Sequence, residues 1–350
     1  MSDANTKDPV VPINAAKKQV RDGKSSATIY DIAKMAGVNP STVSRALSKP
    51  GRVSAKTQKL IEDAAAELRY QVNPFARALP TGRTNTIGLI VADFTNPTFF
   101  DIIRGAQTTG TLRDYTLVLA ESAESGSTEL TAGHRMMATV DGLILASPRM
   151  DDDDIRALAA EKPVVVINRE VTGVPCVIPD VHKGISEAVR SLAANGHKKI
   201  AYVGGPVQSW MSGRRWEGVQ AACEWSHVSA LRLESAKPTV DGGRQVARDV
   251  LASGVTAVLT YNDLLAIGLM RELQAGGMVV PDQISIVGFD DIFGADFTTP
   301  PLTTVRSPLG ECGSAAATRL LDVLAGGEDE GTVRVETELV LRGSSGRLLS

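Results

Sequence analysis

Thr28–Ser48, TIYDIAKMAGVNPSTVSRALS, reads as two short helices joined by a tight turn. Thr28 is placed to N-cap the first helix, and Asp31, three residues on, to reach back as in a capping box. Ile32, Ala33, Met35 and Ala36 give that helix its apolar side. Gly37 ends it where a left-handed residue is needed and glycine is least strained. Asn39 then caps the second helix, with Pro40 at the first helical position, where a missing N–H costs nothing. Val43 and Leu47 face inward, leaving Pro40, Ser41, Ser44 and Arg45 outward. A small residue at Ala33, glycine at Gly37 and an apolar residue at Val43 match helix-turn-helix spacing. The same residues also suit an ordinary helical hairpin in a core, so their setting decides.

That setting is a chain of 350 residues, long enough for two or three domains. It is 43% hydrophobic but only 4% aromatic, with 32 glycines, a composition that suits an α/β protein built on Ala, Val, Ile and Leu. The net charge of −3 conceals an asymmetry. Residues 27–83 hold nine Lys/Arg against four Asp/Glu, a net +5. The first 26 residues add +2, so the remainder carries about −10. A basic head on an acidic body is the distribution expected of a DNA-binding module joined to a soluble sensor. The three cysteines, Cys176, Cys223 and Cys312, are far apart and lack metal-ligand spacing, so they read as buried thiols in a reducing cytosol. No run of eighteen apolar residues predicts a membrane span, and the polar first 26 residues lack a signal-peptide core. The expected location is cytoplasmic.

Residues 1–26, with Lys17, Lys18, Arg21 and Lys24, read as a flexible arm, either solvated or brushing phosphates. After the helix pair, Ser54 caps a third helix near 55–69 with Ile61, Ala65 and Leu68 as its stripe. Residues 70–83, YQVNPFARALPTGR, hold a second Asn-Pro start at Asn73-Pro74 and room for little more than one helical turn. So short a helix is marginal in water, because nucleation is costly. It reads as a linker, or as a hinge that folds only when a partner holds it. From Asn85 onward, strands and helices alternate. Strands are expected at 86–92, 115–120, 141–146, 163–168, 176–178, 199–203, 230–233, 256–260, 284–289 and 302–305, with a terminal strand near 332–341. Continuous apolar runs such as IGLIV and VVVIN indicate parallel sheets buried on both faces. The predicted architecture is an all-α helix-turn-helix head followed by an α/β two-lobed sensor. The sensor has two Rossmann-like halves with parallel sheets, the periplasmic-binding-protein-like layout, and a ligand cleft at the strand C-termini.

With these elements in order, the chain over residues 27–345 resembles the lactose-repressor-type (LacI/GalR) family of bacterial transcription regulators. The resemblance rests on TIYDIAKMAGVNPSTVSRAL, NPFARALPTGRTNTIGLIV, FTNPTFF, VDGLILAS, NGHKKIAYVGGP, SGRRWEGV, YNDLLAIG, VPDQISIVGFDDI, PPLTTV and LVLRGSS, in that order. It implies an arm at 1–26, a DNA-binding head at 27–72, a hinge at 73–84 and an effector-binding, dimerising domain at 85–350. Within the last, the N-subdomain comprises about 85–180 and 309–337 and the C-subdomain about 181–308 and 338–350.

The resemblance makes Pro40–Leu47 the recognition helix, with Pro40, Ser41 and Arg45 reading base edges. Arg45 has the best physical case, since its fork matches guanine O6 and N7. A surface salt bridge is the structural alternative. Thr28, Tyr30, Asn39, Thr42, Ser44, Ser54 and Thr57 are implied phosphate contacts, which set register rather than sequence. Asn73, Ala76 and Leu79 match the family's hinge helix, with Leu79 as a minor-groove wedge. Pro80 departs from the basic or polar residue expected next. In the cleft, Arg215, Asn262 and Asp290 match the polar effector contacts, while Phe100 and Trp210 supply apolar faces. Asn168 stands where Asp is frequent, and Val181 follows Asp180 where Asn is common; both leave the effector's identity open.

The implied partners are double-stranded operator DNA, a second copy of the chain, and a sugar, polyol, sugar phosphate or nucleoside, with no cofactor, metal or membrane. No leucine-heptad run near the C-terminus suggests a coiled-coil tetramer. A sugar-binding transport component is the alternative, but it would need a signal peptide and no basic head. Enzyme motifs of the GxSxG, HExxH or phosphate-loop kind do not occur, GGP at 204–206 is too weak for dinucleotide binding, and His134, His182, His197 and His227 are scattered.

Overall fold

The computed structural model describes residues 27–48, 51–70, 82–235, 237–328 and 331–348. The chain divides into two compact units, at residue 77. The arm and the hinge residues Asn73, Ala76, Leu79 and Pro80 lie outside the described residues.

The first unit is a three-helix head of α1 (Ile29–Ala36), α2 (Pro40–Ser48) and α3 (Ala55–Glu67). The Asp31 carboxylate accepts from the Thr28 amide at 2.8 Å and from its hydroxyl at 2.7 Å, which fixes the start of α1. Gly37 takes the left-handed conformation at φ 68° and ends it. Ile32, Ala33, Val43, Ala46, Ile61 and Ala64 fill the head's core. Leu47, Ala65 and Leu68 pack against this core as expected, partly buried, and Ala46 and Ala64 join it fully buried. Ser54 caps α3, accepting from the Thr57 amide at 3.2 Å.

In the second unit the chain runs β1 (Thr86–Val91), α4 (Thr98–Leu112), β2 (Thr116–Glu121), α5 (Gly126–Met137), β3 (Gly142–Ala146), α6 (Asp152–Glu161), β4 (Val164–Ile167) and β5 (Cys176–Asp180). It then crosses into a second lobe of α7 (Val181–Ala194), β6 (Lys199–Gly204), α8 (Trp210–Trp225), β7 (Ser229–Glu234), α9 (Val240–Ala252), β8 (Ala257–Thr260), α10 (Asp263–Ala275), β9 (Ser285–Asp290) and β10 (Thr303–Arg306). Helix α11 (Leu309–Leu324) and strand β11 (Thr332–Glu336) return to the first lobe, and β12 (Glu338–Val340) ends in the second. The sheets are ordered β11-β5-β4-β3-β1-β2 and β12-β10-β9-β8-β6-β7. Every pairing among the described residues is parallel except β10 with β12. Strands β3 and β4 are buried along their whole length, as their unbroken apolar character demands. The three cysteines are buried thiols.

The single terminal strand expected at 332–341 is two strands in different sheets. Strand β11 pairs with β5 in parallel and β12 pairs with β10 antiparallel, with Thr337 at the break. The Thr337 hydroxyl donates to the Asp180 carbonyl at 2.7 Å and accepts from the Gly184 amide at 3.2 Å. Two of the three crossovers are therefore pinned to one another by one side chain. An apolar alternation carries no mark of which sheet a strand joins, so this break was not legible.

Two helix pairs approach through glycine. A Cβ on Gly313 of α11 would stand 2.1 Å from the Ile102 carbonyl oxygen of α4, and one on Gly268 of α10 would stand 1.9 Å from that of Val240 at the start of α9. Gly313→Ala is expected to lower the thermal stability of the sensor by about 1–3 kcal/mol through overpacking. Gly310→Ala, whose Cβ would have its nearest contact at 3.8 Å, leaves stability unchanged or raises it. A scanning calorimetry comparison separates the two.

His197 is fully buried between the Thr256 hydroxyl at 2.9 Å and the Ser285 hydroxyl at 3.0 Å, and burial lowers its pKa. Below the ordinary histidine value the unfolded chain takes up a proton that the folded chain resists. Stability therefore falls as pH drops from about 6.5 toward the folded-state value. His197→Gln is expected to be less stable at about pH 8 and to lose less further stability by about pH 5. Urea unfolding at both pH values would measure it, and equal slopes for the two proteins would contradict the assignment.

Candidate DNA-reading face and interlobe cleft

In the head, burial of Val43 and Ala46 turns the opposite side of α2 outward. Ser41, Ser44 and Arg45 are exposed and lie three and four residues apart, so they share one helix face. Pro40 and Thr42 flank them, half-buried. Thr28, Asn39 and Ser54 are exposed at helix starts, and Tyr30 is 69% exposed. Thr57 is half-buried, its hydroxyl 2.8 Å from that of Ser54. A short helix with small polar side chains around one arginine has the width of a DNA major groove and offers it donors.

The second constellation lies between the lobes of the sensor. Arg215, in the second turn of α8, is 5% exposed, and its Nη2 donates to Asp290 Oδ1 at 2.7 Å. Its Nη1 donates to the Tyr261 carbonyl, and its guanidinium lies 3.7 Å from the centre of the Phe289 ring. The other oxygen of Asp290 accepts from the Thr98 hydroxyl at 3.1 Å. Thr98 opens α4 in the first lobe and Asp290 ends β9 in the second, so this bond joins the lobes. Behind Asp290 sits Asp263, fully buried, which accepts from the Ile292 amide at 2.8 Å and bonds the Thr304 hydroxyl at 2.6 Å. Burial, reinforced by the charge of Asp290, pushes its carboxyl up to about 8.

In the first lobe, Asn168 just past β4 is 8% exposed, and its Nδ2 donates to the Ser147 hydroxyl at 2.9 Å. Its Oδ1 and Arg215 Nε are buried and without hydrogen-bond partners among the described residues. Arg149, two residues past Ser147, donates from Nε to Glu124 at 2.7 Å and from Nη1 to the Ser147 carbonyl at 2.8 Å. Glu129, buried and with its carboxyl raised by that burial, accepts the Arg149 and Met150 amides at 2.6 and 3.0 Å and so fixes this turn.

The backbone marks the same place. Ala123, Glu124, Ser147, Asn168, Asp290 and Asp291 all have positive φ. They make up six of the ten non-glycine residues with positive φ among those described, and all six follow or end a strand at its C-terminus. Such strain persists where surrounding structure over-determines it, and it gathers at functional sites.

Of the cleft residues expected from sequence, Arg215 and Asp290 are in direct contact, and Asn168 follows the C-terminal end of β4 in the other lobe. Arg215 stands on a helix rather than at a strand end. Asn262 serves the fold, 1% exposed at the start of α10, which it caps by accepting from the Leu265 amide at 3.0 Å while donating to the Pro238 carbonyl at 2.9 Å. Trp210 begins α8, half-buried, with the Arg214 guanidinium 5.8 Å from its ring. Phe100, 45% exposed, lines a cavity of about 620 Å³ with Phe293, Phe297 and Arg104. Thr98, Glu124 and Arg149 were missed. Thr98 lies inside the NPTFF stretch, but nothing in the local pattern flags Glu124 or Arg149.

The family described as bacterial regulatory proteins, lacI family, matches residues 28–73, and the periplasmic binding protein-like domain matches residues 189–345. The HTH-type transcriptional repressor CytR of Escherichia coli K12 is 32% identical over 341 residues, covering 94% of this chain and 98% of its own. The probable HTH-type transcriptional repressor ExuR of Bacillus subtilis is 33% identical, covering 92% and 99%. The crystal structure of the lac repressor dimer bound to operator and the anti-inducer ONPF is similar to this chain with a TM-score of 0.84 at 28% identity, covering 92% of this chain and all of that one. The transcriptional regulator CelR–cellobiose complex gives 0.68 at 29% identity, covering 91% and 99%. A helix-turn-helix head followed by two parallel-sheet lobes, matched along nearly the whole chain by these repressors, makes this chain a member of the LacI family of bacterial transcriptional regulators.

Proposed function

We propose that the chain is a cytoplasmic transcriptional repressor that binds a near-palindromic operator as a dimer and responds to a small polyhydroxylated metabolite held between the lobes of its sensor. The observation that carries the DNA half is the exposed face of α2, where Arg45 stands beside Ser41 and Ser44 on a helix fixed by its own core. The repressors it is similar to support the same reading. Thr28, Tyr30, Asn39, Thr42, Ser44, Ser54 and Thr57 set the head on the phosphates, and Pro40, Ser41 and Arg45 read bases. Asn73, Ala76 and Leu79 form the hinge contacts in this proposal. Pairing of two copies is supported by the edge strand β2, where Val118 and Leu119 are 41% and 40% exposed, beside Leu112 at 82%.

In the sensor, ligand enters where Arg215, Asp290 and Asn168 converge, with Phe100 and Trp210 at its margin and Asn262 holding the helix beneath. A carboxylate accepts from vicinal hydroxyls while arginine donates to their oxygens. Because Asp290 also binds Thr98 of the other lobe, a ligand that competes for that carboxylate changes how the lobes close. Closure acts through the three crossovers, and the ligand shifts the population between arrangements with different operator affinity.

Arg45→Ala is expected to cost about 1–3 kcal/mol of base discrimination, roughly 5- to 150-fold, with thermal stability unchanged. Binding to operators selected from random-sequence DNA reads it out, and parental discrimination in the variant would refute the recognition-helix assignment. Asp290→Asn, which keeps the shape while removing the charge, is expected to weaken the ligand response at least about tenfold and spare operator binding. A thermal-shift screen of sugars and nucleosides on both proteins tests it; an undiminished response in the variant would place the ligand elsewhere.

A further inference from the structure

We propose that Arg149 and Glu124 form a second ligand-gripping pair, on the first lobe, which together with Arg215 and Asp290 restricts the cleft to uncharged polyhydroxylated ligands. This rests on the reading of the cleft as the effector site. The two pairs are built alike. Each carboxylate belongs to two successive left-handed residues just past or at the end of a strand, Ala123–Glu124 on one lobe and Asp290–Asp291 on the other. Each carboxylate binds one buried arginine at 2.7 Å. The Arg149 side chain, just past the end of β3, is 4% exposed, and its Nη1 also donates to the Ser147 carbonyl at 2.8 Å, while Tyr261 lies just beyond β8 in the opposite lobe. Tyr261 in turn underlies Arg215, 4.9 Å from its ring centre. The two pairs thus stand just past strand C-termini of opposite lobes.

The charge of each pair is already balanced. An anionic ligand would add a third charge to a neutralised pair whose arginine is buried and would face Glu124 on one side and Asp290 on the other, with desolvation and repulsion costs. An uncharged polyol meets no such penalty. Each arginine–carboxylate pair offers a donor and an acceptor side by side, which is what two neighbouring hydroxyls require. The two unpartnered buried atoms ask for the same chemistry: Asn168 Oδ1 needs a donor and Arg215 Nε an acceptor, and a hydroxyl is both. The anionic group of a sugar phosphate or sugar acid finds no unbalanced cation in either pair, so the charge balance disfavours these ligands and favours free sugars, polyols and nucleosides.

The experiment removes one balancing charge and asks whether an anion enters. Wild type, Glu124→Gln, Asp290→Asn and Glu124→Gln/Arg149→Met are unfolded thermally in inorganic phosphate and in chloride at equal ionic strength. The wild-type phosphate-minus-chloride shift serves as baseline, because the basic head also attracts anions. Glu124→Gln is expected to gain about 2–4 °C over that baseline, a gain lost in the double variant, and Asp290→Asn to gain similarly through Arg215. If Asp290→Asn gains and Glu124→Gln does not, the cleft reading stands and this inference fails. If neither gains, both fail. Wild type alone gives a further check should Glu124→Gln not fold, since a phosphate stabilisation of wild type that disappears in Arg149→Met would show an open cation and overturn the proposal.

Discussion

The sensor depends on one buried ion pair. Arg215 and Asp290 are each about nineteen-twentieths removed from solvent, and a charge in that position is stable only when paired and hydrogen-bonded. The surroundings supply both: the Tyr261 carbonyl and Phe289 face for the guanidinium, the Thr98 hydroxyl for the carboxylate. Asp263, buried beneath, ties the turn after Asp290 to β10 through Ile292 and Thr304. Gly288 makes room for it, since a Cβ there would lie 2.0 Å from the Asp263 carboxylate. Strands β8, β9 and β10 are thereby held so that Asp290 meets the first lobe.

That contact ties the two lobes, and in the proposed function it is the means of signalling. Two parallel sheets with their C-terminal ends face to face make a cleft, and three crossovers, two of them tied through Thr337, let the lobes move as bodies. Glycine contacts between α4 and α11 and between α9 and α10 keep each lobe stiff, because backbones that close leave no slack for sliding. Movement is then confined to the lobe–lobe boundary, where polar groups exchange partners at modest cost. In the proposed mechanism a hydroxylated ligand would replace Thr98 and satisfy Asn168 and Arg215, so that its binding energy would go directly into the lobe arrangement.

Much of this was written locally. The capping box at Thr28 and Asp31, the left-handed Gly37 and the Asn-Pro start of α2 are short-range chemistry, and the head follows them to within a residue. Buried parallel strands announce themselves as apolar runs, so the strand sequence of both lobes was legible too. What was not legible depends on three-dimensional partners. The break at Thr337 is fixed by Asp180 and Gly184, which lie some 150 residues earlier. Asn262 looks like a ligand contact until its amide is seen between Leu265 and Pro238. Arg149 follows a strand end and resembles any surface arginine, and only the fold shows it buried against Glu124.

The central claim is that cleft occupancy and operator binding are one equilibrium. Its most direct measurement is the affinity of the protein for an uncharged sugar or nucleoside that stabilises it, determined with the free protein and again with the operator-bound dimer. Linkage requires the two values to differ by the same factor by which that ligand changes operator affinity, about 5- to 150-fold for a coupling of ordinary size. Equal ligand affinity in the free and operator-bound states would contradict the account, because a ligand that does not distinguish the two states cannot shift them.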